Sequence, residues 1–164
     1  MKRMLLLILV VTITVAYSNE ESEEKYVVYY FGATDCGYCN IPENIENVKK
    51  IKVEFSQKYI NKKVKYVMVC FDNDIEQGIK FIKKYGYWDE VSVGQRYYND
   101  LSLQCLNKTK IPGLPHIIVY NDIYSSLSEW SIPVIKKRDI LVDLVGGKEI
   151  NEWIQNGYPL ENLD

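Results

Sequence analysis

Neither sign of charge is in surplus in this chain: 20 Lys and Arg stand against 22 Asp and Glu, a net charge of −2. That balance gives no support to nucleic-acid binding, because no surplus of cations exists to neutralise phosphates. Histidine is nearly missing, with one residue, and the 4 cysteines contain a single close pair. Structural zinc takes four ligands, as a rule from two paired motifs, so these residues speak against a zinc protein. At a length of 164 residues, 4 cysteines are also too sparse for a disulfide scaffold. No repeat or low-complexity segment is present. What remains is 47% apolar and 26% charged, the composition of an ordinary globular domain with a core and not of a disordered chain.

An apolar run long enough to span a bilayer, roughly 20 residues, is missing too. The one uncharged apolar run, Met4 to Ala16, is shorter and follows Lys2 and Arg3. Ala16-Tyr17-Ser18 then supplies the small residues that a signal peptidase reads. This is the pattern of a secretory signal peptide. Residues 1–18 are therefore expected to be an export signal, with an uncleaved N-terminal anchor as the alternative. The expected location is periplasmic or extracellular. Residues 19–24 read as an acidic linker and 25–164 as one domain.

Within that domain, Lys25 to Phe31 reads as a strand buried on both faces. Ile41, Ile45, Val48, Ile51, Phe55 and Tyr59 recur at helical spacing, with Pro42 in the first turn, where its missing N–H costs little. Val64 to Phe71 is a second strand, ended by Asp72-Asn73-Asp74. A second helix is expected from Ile75 to Tyr85, with Ile75, Ile79 and Ile82 inward and Gly78 weakening it. An insertion at about 86–110 carries Tyr97, Leu101 and Cys105 at i, i+4 and i+8, which predicts a third helix. The turn Ile111 to Pro115 opens a strand from His116 to Tyr120, ended by Asn121-Asp122. An irregular connection from Ile123 to Lys137, a strand from Ile140 to Val145 and a helix from Lys148 to Asn156 complete the chain. The fold class is α/β: a mixed sheet of about four strands flanked by helices, with the helical insertion before the proline-led strand.

The chemistry concentrates at Cys36-Gly37-Tyr38-Cys39, between the first strand and the first helix. That position puts Cys36 at a helix cap and Cys39 in its first turn, where unpaired N–H groups favour a thiolate. The pair reads as a redox dithiol, as half of a metal site or as an inert remnant, and the lack of a second paired motif favours the first. Cys36 is then the exposed nucleophile and Cys39 the buried resolving thiol, held in bonding range by the spacer Gly37-Tyr38. Cys70 and Cys105 are either a structural disulfide that ties the insertion to the core or two buried thiols. His116 reads as a structural strand residue, and the 14 tyrosines carry no functional signal of their own.

Three local matches make the chain resemble the thioredoxin-like superfamily: Phe31-x-Ala33-x-x-Cys36-Gly37-Tyr38-Cys39, Gly113-Leu114-Pro115-His116 before Ile117 to Tyr120, and Val145-Gly146-Gly147 before the last helix. The Gly37-Tyr38 spacer is similar to that of bacterial periplasmic disulfide isomerases. The resemblance implies a thioredoxin fold, a cis Pro115, and a substrate-binding role for Leu114 and Pro115 beside the cysteines. It implies a secreted thiol–disulfide oxidoreductase whose partners are cysteine-containing exported proteins and a membrane redox donor or acceptor, with no metal or organic cofactor. A non-catalytic partner-binding module is the alternative. Two departures stand out. Thioredoxins proper carry Trp where this chain has Asp35, and a buried Asp where it has Tyr30. Asp35 beside Cys36 is expected to raise the thiol pKa.

Overall fold

The computed structural model describes residues 22–107, 109, 111–125 and 132–161. The expected signal peptide lies outside the described residues. In chain order the elements are β1 (Ser22–Gly32), α1 (Pro42–Lys58), β2 (Lys63–Cys70), α2 (Ile75–Lys83), β3 (Glu90–Val93), α3 (Asp100–Leu106), β4 (His116–Ser125), β5 (Val134–Val145) and α4 (Gly146–Gln155). They build one five-stranded sheet in the order β3-β2-β1-β4-β5. β1, β2 and β3 run parallel, while β4 pairs antiparallel with both β1 and β5. This is the thioredoxin fold expected from sequence, with one strand more.

Alternation along the strands divides the core into two layers. Val28, Tyr30, Tyr66, Met68, Cys70, Ile117 and Val119 face one side, where α1 supplies Val48, Ile51 and Phe55, α2 supplies Phe81 and Ile82, and α4 supplies Ile150 and Trp153. Val27, Tyr29, Phe31, Val67, Val69, Ile118 and Tyr120 face the other, where α3 contributes Cys105 with Leu101 and Leu106 beside it. Many tyrosines are core residues with bonded hydroxyls: Tyr66 meets Ser56 at 2.7 Å, Tyr59 donates to the Tyr158 carbonyl at 2.8 Å, and Tyr158 donates to Glu54 at 2.5 Å. A buried phenol with a partnered hydroxyl combines a large apolar area with a satisfied polar end.

Several expected boundaries move for physical reasons. Ser22, Glu23 and Glu24, read as the end of the acidic linker, are the first residues of β1 and pair with Ser125, Tyr124 and Ile123. Glu23 bonds Lys63 at 2.5 Å and Glu24 bonds Lys62, which places the acidic residues at the start of the central strand, facing lysines. β3, a short parallel edge beside β2, lies in the insertion where only a helix was expected. β4 continues through Asn121-Asp122 because the fully buried Asp122 accepts two bonds from Arg138, at 2.7 and 2.5 Å. The guanidinium of Arg138 also lies over the Tyr120 ring at 4.6 Å. That pair carries β5 back to Val134, through residues expected to be irregular. In α2, Ile75 is exposed and Phe81 takes the inward position.

Candidate active site

The cysteine pair sits at the C-terminal end of β1. The register Phe31↔His116 sets the loop before His116 at the same end of the sheet, and Gly32↔Cys70 adds the end of β2. Cys36 and Cys39 form a disulfide with Cα atoms 5.2 Å apart. Cys39 is fully buried, and Cys36 is the partly exposed member. The helical setting differs from expectation. Cys39 lies in a one-turn 3₁₀ helix, Tyr38–Asn40, and α1 starts only at Pro42. Proline disfavours the helical region for the residue before it, and Ile41 is extended, at φ −67° and ψ 128°. The separate turn still aims a donor at the sulfur: the Cys39 N–H points to Cys36 Sγ at 3.1 Å. Such a donor stabilises a thiolate when the pair is reduced.

The loop before Cys36 is held from the turn that follows β2. Asp72, 8% exposed, accepts from the Thr34 N–H at 3.1 Å, the Thr34 hydroxyl at 2.7 Å and the Cys70 thiol at 2.9 Å. Asn40 closes the loop on the other side, its amide donating to the carbonyls of Thr34 (2.8 Å) and Cys36 (2.9 Å). Asp35, exposed, bonds Arg96 at 2.6 Å, so a cation stands beside the charge expected to oppose the thiolate. Tyr38 is 64% exposed and its ring lies near Gly147 of α4, while Gly37 faces open space.

The Leu114–Pro115 peptide is cis. Leu114 and Cys36 both pack against the buried cluster that contains Cys39, at the end of the sheet where Phe31 pairs with His116. The Pro115 carbonyl accepts from Gly146 N at 2.8 Å, which ties this loop to the start of α4. His116 is buried and meets Asp143 at 2.6 Å, the structural strand role expected of it.

Of the two readings of Cys70 and Cys105, a disulfide or two buried thiols, the structure has the second: both are buried and not joined to each other. Cys70 belongs to the layer under α1 and α2, and Cys105 to the layer under α3, with the sheet between them. Burial, with the Asp72 carboxylate adding to it, pushes the Cys70 thiol up to about 12. Cys105 lies beside Tyr120.

Tyr30, where thioredoxins carry the buried Asp, meets the Tyr85 hydroxyl at 3.0 Å and accepts from the Asn44 amide at 3.0 Å. Tyr85 in turn donates to the Cys39 carbonyl. Burial pushes Tyr30 up to about 12 and Tyr85 higher still. Sequence reasoning missed Thr34, Asn44, Asp72, Arg96 and this role of Tyr85. Each acts across 14 to 61 positions of chain, so no local spacing points to it.

A mixed sheet with a half-buried CxxC disulfide at the end of its central strand, next to a cis-proline loop, defines a thioredoxin-fold dithiol protein. The sequence model described as thioredoxin-like matches residues 23–122, and the chain belongs to the thioredoxin-like family. No curated protein sequence matches it. Among solved structures, a thiol-disulfide oxidoreductase from Bacteroides fragilis is similar in fold, with a TM-score of 0.50 and 18% identity over 80% of this chain and 80% of that one. A thiol:disulfide interchange protein from a Bacteroides species has a TM-score of 0.48 and 19% identity over 80% and 72% of the two chains. The thioredoxin domain of a Bacteroides vulgatus thiol-disulfide oxidoreductase has a TM-score of 0.47 and 19% identity over 80% and 78%.

Proposed function

We propose that the protein is an exported thiol–disulfide oxidoreductase that exchanges disulfides with cysteine pairs of other exported proteins. The observation that carries the reading is the asymmetry of the pair: Cys39 is fully buried, and its N–H points at the more accessible Cys36 Sγ. In the reducing direction the Cys36 thiolate attacks one sulfur of a substrate disulfide. The substrate S–S bond breaks, its leaving thiolate takes a proton, and a mixed disulfide to Cys36 forms. The Cys39 thiolate then attacks Cys36 Sγ, the second substrate thiol leaves, and the dithiol has passed two electrons to the substrate. Run backwards, the Cys36–Cys39 disulfide oxidises a substrate dithiol. A membrane redox donor or acceptor resets the pair. The Leu114 backbone, just outside β4, offers an edge to which an extended substrate segment adds as a strand.

Insulin reduction and refolding of scrambled ribonuclease test this. Turnover by the wild type and none by Cys36→Ala is expected. No turnover by the wild type, or equal turnover by Cys36→Ala, makes the protein a binding module.

A further inference from the structure

The buried hydroxyls behind Cys39 have a fixed direction. A carbonyl only accepts, so the Tyr85 proton goes to the Cys39 carbonyl. Tyr85 Oη then needs a donor, and Tyr30 at 3.0 Å gives it its single proton. Tyr30 Oη, with its proton spent, accepts from the Asn44 Nδ2 group at 3.0 Å. The chain therefore runs one way: Asn44, Tyr30, Tyr85, Cys39 carbonyl. All three side chains are buried, at 6%, 1% and 0% exposure. Hydrogen bonds in such a chain polarise and strengthen one another, and low dielectric makes each stronger than in water.

The backbone of Tyr85 is also fixed in space. Lys52 of α1 donates to the Tyr85 carbonyl and the Tyr87 carbonyl, each at 2.6 Å, and its ammonium lies 4.3 Å from the centre of the Trp88 ring. Gly86, at φ +80°, lets the backbone turn away directly after Tyr85. Gly32 leaves room in front: a Cβ there would stand 3.0 Å from the Tyr30 ring and 3.2 Å from Phe81.

Residue 39 is thus gripped at both of its backbone polar groups. Its carbonyl takes the Tyr85 proton, and its N–H faces Cys36 Sγ at 3.1 Å. We propose that Tyr85 is a positioning residue for the dithiol, holding the Cys39 carbonyl so that the Cys39 N–H stays on Cys36 Sγ and favours its thiolate in the reduced protein. Asn44 and Tyr30 act through Tyr85. The chain does not shuttle protons: burial keeps both phenols protonated throughout the range in which thiols exchange. This inference rests on the dithiol reading above.

Tyr85→Phe and Tyr30→Phe keep the rings and remove the protons. Two quantities are measured on each: the pH profile of Cys36 alkylation in the reduced protein, and the equilibrium of the Cys36–Cys39 pair with glutathione. Tyr85→Phe is expected to move the alkylation midpoint to higher pH and to shift the equilibrium towards the protein disulfide by about three- to tenfold, tenfold being about 30 mV for a two-electron couple. Tyr30→Phe shifts both the same way by less, and the double variant shifts no further than Tyr85→Phe alone. A lower melting temperature with an unchanged pH profile and equilibrium overturns the proposal, as does additivity of the two variants. If Tyr85→Phe does not fold, Tyr30→Phe decides on the same two measurements. A wild type that does not exchange with glutathione at all instead refutes the dithiol reading, and this proposal with it.

Discussion

Replacing Asp72 should loosen the active-site loop and reduce stability together. Its carboxylate is nearly buried and accepts from the Thr34 N–H, the Thr34 hydroxyl and the Cys70 thiol. Thr34 lies two residues before Cys36, and the Cys36 N–H closes the same turn onto the Ala33 carbonyl at 3.2 Å. In Asp72→Ala all three donors lose their acceptor. A hydrogen bond to a charged group is worth about 1.5–3 kcal/mol net, and an orphaned buried donor costs about 1–3 kcal/mol. The thiol is a weak donor, and the wild type already bears the desolvation of a carboxylate, which offsets part of the gain. A net loss of about 2–4 kcal/mol follows for Asp72→Ala. In Asp72→Asn one oxygen at the Oδ2 position still accepts from the Thr34 hydroxyl, the Thr34 N–H and the Cys70 thiol, so its loss is about 1 kcal/mol. Urea unfolding monitored by tryptophan fluorescence gives both values, provided the slope with denaturant is unchanged. In the reduced protein, Cys36 alkylation in Asp72→Ala should also lose its single sharp midpoint. Stability of Asp72→Ala within 0.5 kcal/mol of wild type, on the usual scale of a neutral surface change, would refute the reasoning.

Gly78→Ala should destabilise, against the ordinary gain of about 1 kcal/mol for alanine in a helix. A Cβ there would meet Val93 Cγ2 at 2.4 Å and Cys70 Sγ at 3.3 Å, and overpacking of about 1–3 kcal/mol outweighs the propensity; a raised melting temperature counts against this. Lys52 should make stability rise in alkali: burial, with Lys49 adding, lowers its pKa from 10.5 to about 8. The unfolded chain then holds the extra proton between those values, so stability rises with pH from about 8 to about 10.5, by about 1 kcal/mol after allowance for partial exposure. The comparison is the melting of wild type and Lys52→Gln across that range, and parallel curves would exclude it.

Much of this fold is legible in the sequence because the strongest patterns are local. The α1 stripe and the apolar runs of β1, β2 and β4 carry their period on their face, and each forms where expected. The elements that were misread depend on distant partners. Asp122 reads as a strand breaker until Arg138, 16 positions on, is known to pair with it. β3 is four residues long and exists because β2 offers it an edge. Whether the two single cysteines meet is not legible locally, because which face each takes is set by alternation on β2 and by the side that α3 covers. At the site, the reactive pair and the proline loop were legible as motifs. The side chains that hold them, Asp72, Asn44 and Tyr85, reach the cysteine turn only through the folded sheet.

The outer strand β5 carries a consequence for how selectively the protein accepts other chains. It runs along the open side of the sheet for 12 residues, long enough to template a passing extended segment. Its pairing with β4 slips at two places, at Val119/Tyr120 and Ile123/Tyr124, and each slip bends and over-twists the strand that holds the extra residue. Lys136 and Lys137 stand exposed beside the second slip. A crooked rim that bears charged side chains is a poor mate for a flat strand. For the proposed exchange at Leu114, this outer strand is thus a poor competing edge among the described residues.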